Sequence, residues 1–387
     1  MVVLQALDII LYSLLSLMVL YLLVFGLSSL LKKPQVLLGG SKINKIAVLF
    51  PAYNEDRVII SSVSSFSMQN YPADCYDIIV ISDHMTEETN ERLRQQRNVE
   101  VLVATYENST KAKALNLAMD HIEGKDYDLV VVMDADNIAD TDFLHQLNTA
   151  YQSGLKVIQT HRIAKNLNTD VAMLDAVSEE INNAFFRLGT YNLGLSASLI
   201  GSGIAFDFEW FKKNVRKLHT AGEDREFEVL LLRDRIRIGY LPSVYVYDEK
   251  TQNLKNFKNQ RKRWQAVQYQ SLNRSILDLP HALSQGNIDY ANKILQWMLL
   301  PRSILLMLLP LISLIFTLFF KALSLKWWVL TLVFYGIIFA VIPPSLKNKR
   351  LLKAMSKIPV MAVLMCVNFL KLKEGSKKFI HTEHDVN

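Results

Sequence analysis

Residues 9–31 run without a single charged side chain and are closed by Lys32, Lys33 and Pro34. As a helix rising about 1.5 Å per residue, this segment outreaches the roughly 30 Å hydrocarbon core of a bilayer. It is longer than the apolar region of a secretory signal, its basic charge follows it, and no A-x-A-like cleavage site comes after it. It therefore reads as an uncleaved anchor. Lys32, Lys33, Lys42 and Lys45 place the following chain in the cytosol and the N-terminus outside, in an inner (plasma) membrane.

Two further spans are expected toward the other end. Residues 303–320 are uncharged, contain Pro310 and have Arg302 at their cytosolic mouth. Residues 327–346 are also uncharged, open on Trp327 and Trp328, and lead into Lys347, Lys349 and Arg350. The link at 321–326 is short enough for a tight hairpin. Residues 358–370 lie between Lys357 and Lys371 and would reach only about 20 Å as a helix, so an interfacial helix is expected there. The sequence thus predicts three spans and one helix lying on the cytosolic face.

With 50% hydrophobic and 21% charged residues, the chain is too apolar for a disordered protein. Its net charge of +6 needs no nucleic-acid partner, because basic residues flanking membrane segments produce the same excess. Two cysteines, Cys75 and Cys366, exclude a disulfide framework and a cysteine-based zinc site.

Between residues 43 and 250, short β-rich runs alternate with helical patterns. Runs at 46–50, 77–82, 99–104, 129–133, 156–159 and 198–206 are separated by helical stretches such as 111–122 and 172–186. Fully apolar runs suit parallel strands covered on both faces, giving an α/β, Rossmann-like domain. In such sheets ligands bind beyond the carboxyl ends of the strands. After Asp248, residues 251–277 carry Lys255, Lys258, Arg261, Lys262, Arg263 and Arg274 with no acid, the pattern of a cationic amphipathic helix on a membrane surface. The expected organisation is an anchor at 1–42, an α/β domain at 43–250, interfacial helices at 251–296, a transmembrane hairpin at 297–346 and an interfacial helix with a tail at 347–387.

The polar residues at strand ends carry the chemistry. Tyr53 and Glu55 follow the first run, where an aromatic ring and an acid could stack on and bond a nucleobase; a turn and helix start account for them equally well. Asp83 ends the second run, placed to read a ribose or to cap a helix. Lys111 and Lys113 open a helix, where a lysine can meet a diphosphate or simply be solvated. Asp134 and Asp136 form a D-x-D after a buried run, hard oxygen ligands suited to Mg²⁺ or Mn²⁺. Glu223 and Asp224 offer a general base or a helix cap. Gly201-Ser202-Gly203 lacks the third glycine of a dinucleotide fingerprint and reads as a close backbone approach to a ligand or strand. Neither a P-loop nor an H-E-x-x-H motif occurs.

Taken in order, Tyr53/Glu55, Asp83, Lys113, Asp134-x-Asp136, Gln159-Thr160, Gly201-Ser202-Gly203, Glu223-Asp224 and Gln260-Arg261-Lys262-Arg263-Trp264 resemble the processive family-2 glycosyltransferases, which include the cellulose, chitin, hyaluronan and poly-N-acetylglucosamine synthases. The last segment matches their Q-(Q/R)-x-R-W signature. The resemblance implies a GT-A domain that takes a UDP-sugar and inverts its anomeric centre. By position, Tyr53, Glu55 and Asp83 would hold uridine, Lys113 the diphosphate, and Asp134 and Asp136 the metal and nucleotide. Asp224, beside Glu223, would be the base. Gln260 and Arg263 would face the pyrophosphate and Trp264 the acceptor sugar. Gln159, Thr160 and Gly201–Gly203 would shape the pocket. Phe379 and Thr382 match two positions of the cellulose-synthase gating loop; a polar tail is the other reading.

The chain departs from the pattern in having His84-Met85 after Asp83 and few spans for a polymer channel, which self-association or other subunits could supply. The implied function is elongation of a β-linked polysaccharide; transfer of one sugar to a membrane lipid is the alternative. A nucleotidyltransferase would have little use for residues 260–264, and a non-catalytic subunit would not need both Asp136 and Asp224.

Overall fold

The computed structural model describes residues 2–31, 39–220 and 222–370. Phe379 and Thr382 lie outside the described residues, as do Lys32 and Lys33.

Eight strands form one sheet: β1 Ile46–Tyr53, β2 Tyr76–Asp83, β3 Val99–Ala104, β4 Leu129–Val132, β5 Ile138–Ala139, β6 Val157–Ala164, β7 Ile204–Asp207 and β8 Ile238–Asp248. Their spatial order is β3-β2-β1-β4-β7-β6-β8-β5. Side chains alternate between faces, and both faces are covered. Ile46, Val48 and Phe50 enter one core with Ile78, Val80 and Val131, while Ala47 and Leu49 enter the other with Ile79, Ile81 and Val130. This is why β1, β2 and β4 read as unbroken apolar runs.

The sheet is not wholly parallel, contrary to the sequence expectation. β1 to β4 are mutually parallel, but β7 runs antiparallel to both β4 and β6, and β5 antiparallel to β8. Of the run expected at 198–206, only its end is strand; residues 198–203 form a turn over β6. β8 and the two-residue β5 were not foreseen.

The long apolar helices pack on this domain as well as on each other. Val2–Leu30 lies against Lys321–Val341, burying Leu15, Val19 and Leu22 among Trp327, Phe334 and Ile337. The two helices run in the same direction. Asp8 meets Lys326 and accepts from the indole Nε1 of Trp327 at 3.0 Å, while at the other end the Ser28 hydroxyl donates to the Gly189 carbonyl at 3.0 Å. A Cβ on Gly189 would collide with the Phe25 carbonyl, so glycine permits this backbone-to-backbone docking. Gly189 ends a π-helical stretch, Asn183–Gly189, that continues the Asp170–Asn182 helix.

Among the described residues four helices, rather than three, are long and apolar enough to cross a membrane: Gln5–Leu30, Arg302–Phe319, Lys321–Val341 and Lys349–Asn368. The fourth contains the segment expected to lie on the surface. It gains its length because helix starts at Lys349 and continues, through a 3₁₀ turn, across the basic stretch preceding Ile358. It also rests on the Leu254–Ser275 helix, where Asn368 Nδ2 donates to the Lys258 carbonyl at 3.1 Å.

Candidate active site

The carboxyl ends of β1, β2 and β4 open onto a cavity of ≈ 1340 Å³, whose walls include Tyr53, Glu55, Asp83, Asp134, Asp136, Glu223 and Asp224. The chain leaves β1 and β2 through left-handed residues, Asn54 at φ 53° and His84 at φ 59°. These are residue types that tolerate this region better than most. The turns set Tyr53 and His84 edge-to-face at 5.5 Å. Asp83 is buried, its Oδ1 2.6 Å from His84 Nδ1 and 3.4 Å from the Tyr106 amide.

The D-x-D occupies the sharp exit from β4. The Asp134 amide donates to Ser202 Oγ at 2.8 Å, and the Asp134 carboxylate sits 2.5 Å from Lys111 Nζ. Asp136 is buried, accepting from Asn137 Nδ2 at 3.0 Å and from the Glu249 amide at 3.2 Å. No group of three or more His, Cys, Asp or Glu side chains among the described residues is placed to hold a metal by itself. Two carboxylates at the cavity wall nevertheless fit a hard divalent cation that takes its other ligands from a diphosphate and water, the usual way Mg²⁺ is held.

Lys111, and not Lys113, is the lysine of this site. Thr110 caps the Lys111–Ile122 helix by accepting from the Lys113 amide at 3.2 Å, so Lys111 is its first residue. From there Nζ reaches Asp134, the Gly201 carbonyl at 2.7 Å and Glu223 at 3.6 Å. Burial opposes the ammonium charge, but Asp134 and Glu223 outweigh it and raise the Lys111 pKa. Lys113 is about 200° further round the helix. It points out, donating to the Asn108 carbonyl at 2.6 Å beside the Tyr106 ring.

Gln159 and Thr160 are likewise absent from the cavity wall; they support it from behind. Gln159 Nε2 donates to the Ser202 carbonyl at 2.9 Å while its Oε1 accepts from the Ile200 amide at 3.0 Å. Thr160 Oγ1 donates to the Gly203 carbonyl at 2.8 Å, next to a bulge in β6 at Thr160/His161. Gly203 has φ 63° and Gly201 φ 80°, and a side chain at Gly203 would strike Thr160 and Val246. Of the Gly201-Ser202-Gly203 turn, Gly201 alone lines the cavity.

Glu223 and Asp224 open the Glu223–Arg233 helix, where the unpaired N–H groups favour negative charge. Burial, with Asp224 and Asp134 nearby, pushes the Glu223 pKa up to about 7 against the pull of Lys111. One turn on, Glu228 is fully buried. It accepts from Lys293 Nζ, the Leu199 amide and Arg225 Nη1, each at 2.8 Å. This ties the acidic helix to the chain entering the glycine turn.

Gln260, Arg263 and Trp264 reach the same cavity from the Leu254–Ser275 helix. Arg261 stacks 4.6 Å from the Trp264 ring centroid and pairs with Asp175, which fixes that aromatic face. Gln260 Oε1 is buried without a hydrogen-bond partner, an unmet acceptor in a helix that lines the cavity.

Sequence reasoning also missed a buried ionic network in the floor. Glu179 meets Arg162 at 3.0 Å and Arg187 at 3.2 Å, and Lys250 meets Asp248 at 2.6 Å. Burial raises the Glu179 pKa, but Arg162, Lys250 and Arg187 outweigh it and hold the carboxyl well below its usual range. Arg162 lies in β6, Asp248 ends β8 and Lys250 follows two residues after it, so the strand-end rule could have found the last two once β8 was recognised.

Residues 44–266, more than half of the chain, match the glycosyltransferase-like family 2. The chain belongs to glycosyltransferase family 2. The glycosyltransferase domain has the GT-A form of the Rossmann-like α/β fold. Over 240 residues this glycosyltransferase is 23% identical to the probable glycosyltransferase YdaM of Bacillus subtilis, covering 57% of this chain and 54% of that one. Over 116 residues it is 33% identical to the poly-β-1,6-N-acetyl-D-glucosamine synthase of Staphylococcus aureus, 30% of this chain and 26% of that protein. The chain thus spans about half the length of the first relative and about a quarter of the second. Among solved structures, the mannosyltransferase of Pyrobaculum calidifontis in complex with GDP-mannose and Mn²⁺ aligns with TM-score 0.49 and 16% identity, over 87% of this chain and 99% of that one.

Proposed function

We propose that this glycosyltransferase is membrane-embedded and moves a sugar, with inversion, from a UDP-sugar to a hydroxyl of a growing saccharide at the cytosolic face. The observation that carries this reading is the convergence of Tyr53, Asp83, Lys111, Asp134, Asp224 and Trp264 on one cavity. That cavity exceeds the roughly 300–1,000 Å³ of a single small-ligand site and so has room for both donor and acceptor.

Tyr53, Glu55 and Asp83 hold the uridine. Lys111 and Arg263 oppose the charge that develops on the departing diphosphate, a stabilisation worth most in a water-poor site. Asp134 and Asp136 would hold Mg²⁺ or Mn²⁺, which when bound would neutralise part of that charge. Asp224 takes the proton from the acceptor hydroxyl as its oxygen bonds the anomeric carbon on the face opposite UDP, while the bond from that carbon to the phosphate oxygen breaks. Trp264 offers the acceptor sugar a flat surface. We assign the base to Asp224 because Glu223 is engaged with Lys111 at 3.6 Å. The cationic Leu254–Ser275 helix and the four apolar helices support a bilayer partner, with the catalytic domain cytosolic and the N-terminus outside.

The test is transfer by the purified chain in lipid nanodiscs, with Mn²⁺ or Mg²⁺ and a panel of labelled UDP-sugars. One UDP-sugar should give a labelled saccharide product and free UDP. Asp224→Asn should bind UDP normally yet lose about 10²–10⁴ in rate. An Asp224→Asn protein with intact transfer, or release of pyrophosphate in place of UDP, would sink the proposal.

A further inference from the structure

The cavity does not end at the sugar-transfer site. From Trp264 it continues between the membrane-side helices, past Leu306 and Tyr335, to a rim that includes Phe339, Leu352 and Met355. These rim residues are 61%, 71% and 43% exposed, and all belong to helices apolar and long enough to cross a bilayer. Side chains that both line a cavity and face outward mark its mouth. This mouth opens sideways beside Lys347 and Lys349, where the apolar helices give way to the basic residues expected at lipid headgroups.

The arm is apolar but carries cations. Arg302 lies where the arm leaves the catalytic domain, donating through Nη2 to the Ser178 carbonyl at 3.2 Å and hydroxyl at 3.4 Å. Its Nη1 is buried with no hydrogen-bond partner. Lys347 also lines the arm, its ammonium 4.5 Å from the Phe339 ring centroid. Neither cation has a carboxylate at ion-pair distance among the described residues. The nearby acids are already engaged, Asp175 with Arg261 and Glu179 with Arg162 and Arg187. Lys347 is half-buried, but among the described residues Arg302 has around it only the Ser178 oxygens and the Phe185 and Phe186 rings, each 5.8 Å away, and a cation so placed is costly unless an anion accompanies it. A neutral sugar chain would leave that cost standing, and a small soluble anion would leave the apolar walls unfilled.

We infer that the acceptor is a lipid bearing its sugar through a phosphate: the acyl or prenyl tail enters sideways past Phe339 and Leu352, the phosphate lies between Arg302 and Lys347, and the sugar hydroxyl reaches Asp224 beside Trp264. This rests on the proposed sugar transfer and specifies its acceptor.

The test uses the full chain in phosphatidylcholine nanodiscs, with or without a polyprenyl-diphosphate-linked N-acetylglucosamine, and measures lipid binding and labelled transfer alongside UDP affinity. The wild type should bind this lipid and move the label into the organic phase. Arg302→Gln should weaken lipid binding by at least about tenfold, the loss of one charge-assisted hydrogen bond, with UDP affinity kept. Arg302→Lys should restore part of it. Should Arg302→Gln fail to fold, Lys347→Gln at the better-exposed end should still raise the KM for the lipid more than it lowers kcat. Equal transfer to a phosphate-free glycolipid, or to a water-soluble oligosaccharide without lipid binding, would overturn this inference and leave the proposed function standing. Absence of transfer from every UDP-sugar to every acceptor would instead remove the reading beneath it.

Discussion

The buried Glu228–Lys293 pair gives a sharp test of how the Glu223–Arg233 helix is held. Glu228 is wholly inaccessible and Lys293 is 2% exposed. Lys293 Nζ also donates to Ser198 Oγ at 2.7 Å, so one ammonium joins the Ile288–Met298 helix, the acidic helix and the chain leading to Gly201. Lys293→Met removes the cation but leaves Glu228 buried, with Arg225 and the Leu199 amide as its remaining partners. Breaking one side of such a pair costs about 3–5 kcal/mol. For a domain of roughly 200 residues this lowers the melting temperature by about 10 °C. Glu228→Gln should be damaging too, and the double variant less so than the sum, with a coupling of about 1–3 kcal/mol. Burial pushes the Glu228 pKa up, but Lys293 and Arg225 outweigh it and hold it below the ordinary value. Its stabilisation is therefore present above the ordinary carboxylate pKa and lost as pH falls through the lowered one; Lys293→Met should move that loss to higher pH. Turnover should fall as well, since Glu228 is one turn from Asp224. Thermal unfolding in detergent, followed across pH for the four proteins, reads all of this. A Lys293→Met protein that melts with the wild type, or strict additivity in the cycle, would refute the reasoning.

Other outcomes follow from single residues. Lys111→Met should reduce sugar transfer by about 10²-fold or more, the scale of losing one preorganised charge-stabilising donor, while Lys113→Met stays near wild type; steady-state kinetics on both decides which lysine serves the diphosphate. Glu223 has a pKa raised to about 7, so the wild type should lose stability relative to Glu223→Gln as pH rises from about 4.5 to about 7, by about 3 kcal/mol at most. Denaturant unfolding without nucleotide checks that sign, and a wild type that gains on the variant over this range contradicts it. Gly189→Val should detach the Val2–Leu30 helix from the catalytic domain, read as faster proteolysis between them, because the new side chain must displace the Phe25 carbonyl.

What the sequence revealed of this fold follows the range over which its signals act. β1, β2 and β4 are visible because burial on both faces demands apolar residues nearly throughout, a local property of each run; β3, a largely half-buried edge strand, shows through its β-branched valines. The Lys111–Ile122 helix is visible with the same bounds because its apolar face and its Thr110 cap are local too. β8 was missed because Pro242 and Ser243 split it into two short pieces, although its Val244–Tyr247 half has strong β propensity. The reversed direction of β7 depends on the path of the long connection from β6, which no short window contains.

The site divides along the same line. D-x-D and the Q-(Q/R)-x-R-W segment are contiguous, and both reach the cavity. Lys111 and Lys113 sit two positions apart on one helix, so choosing between them requires knowing which side of that helix faces Asp134. Glu179 lies mid-helix and Arg187 within a π-helical turn, positions with no local mark; Glu179 pairs with Arg187 along the helix and meets Arg162 and Lys250 only once the sheet is assembled. Gln159 and Thr160 show the opposite error. They are ordered with the catalytic motifs because they hold the glycine turn that shapes the pocket, although neither reaches it. A position in a motif can mark support for the chemistry as well as contact with substrate, and hydrogen bonds from Gln159 and Thr160 into the turn distinguish the two.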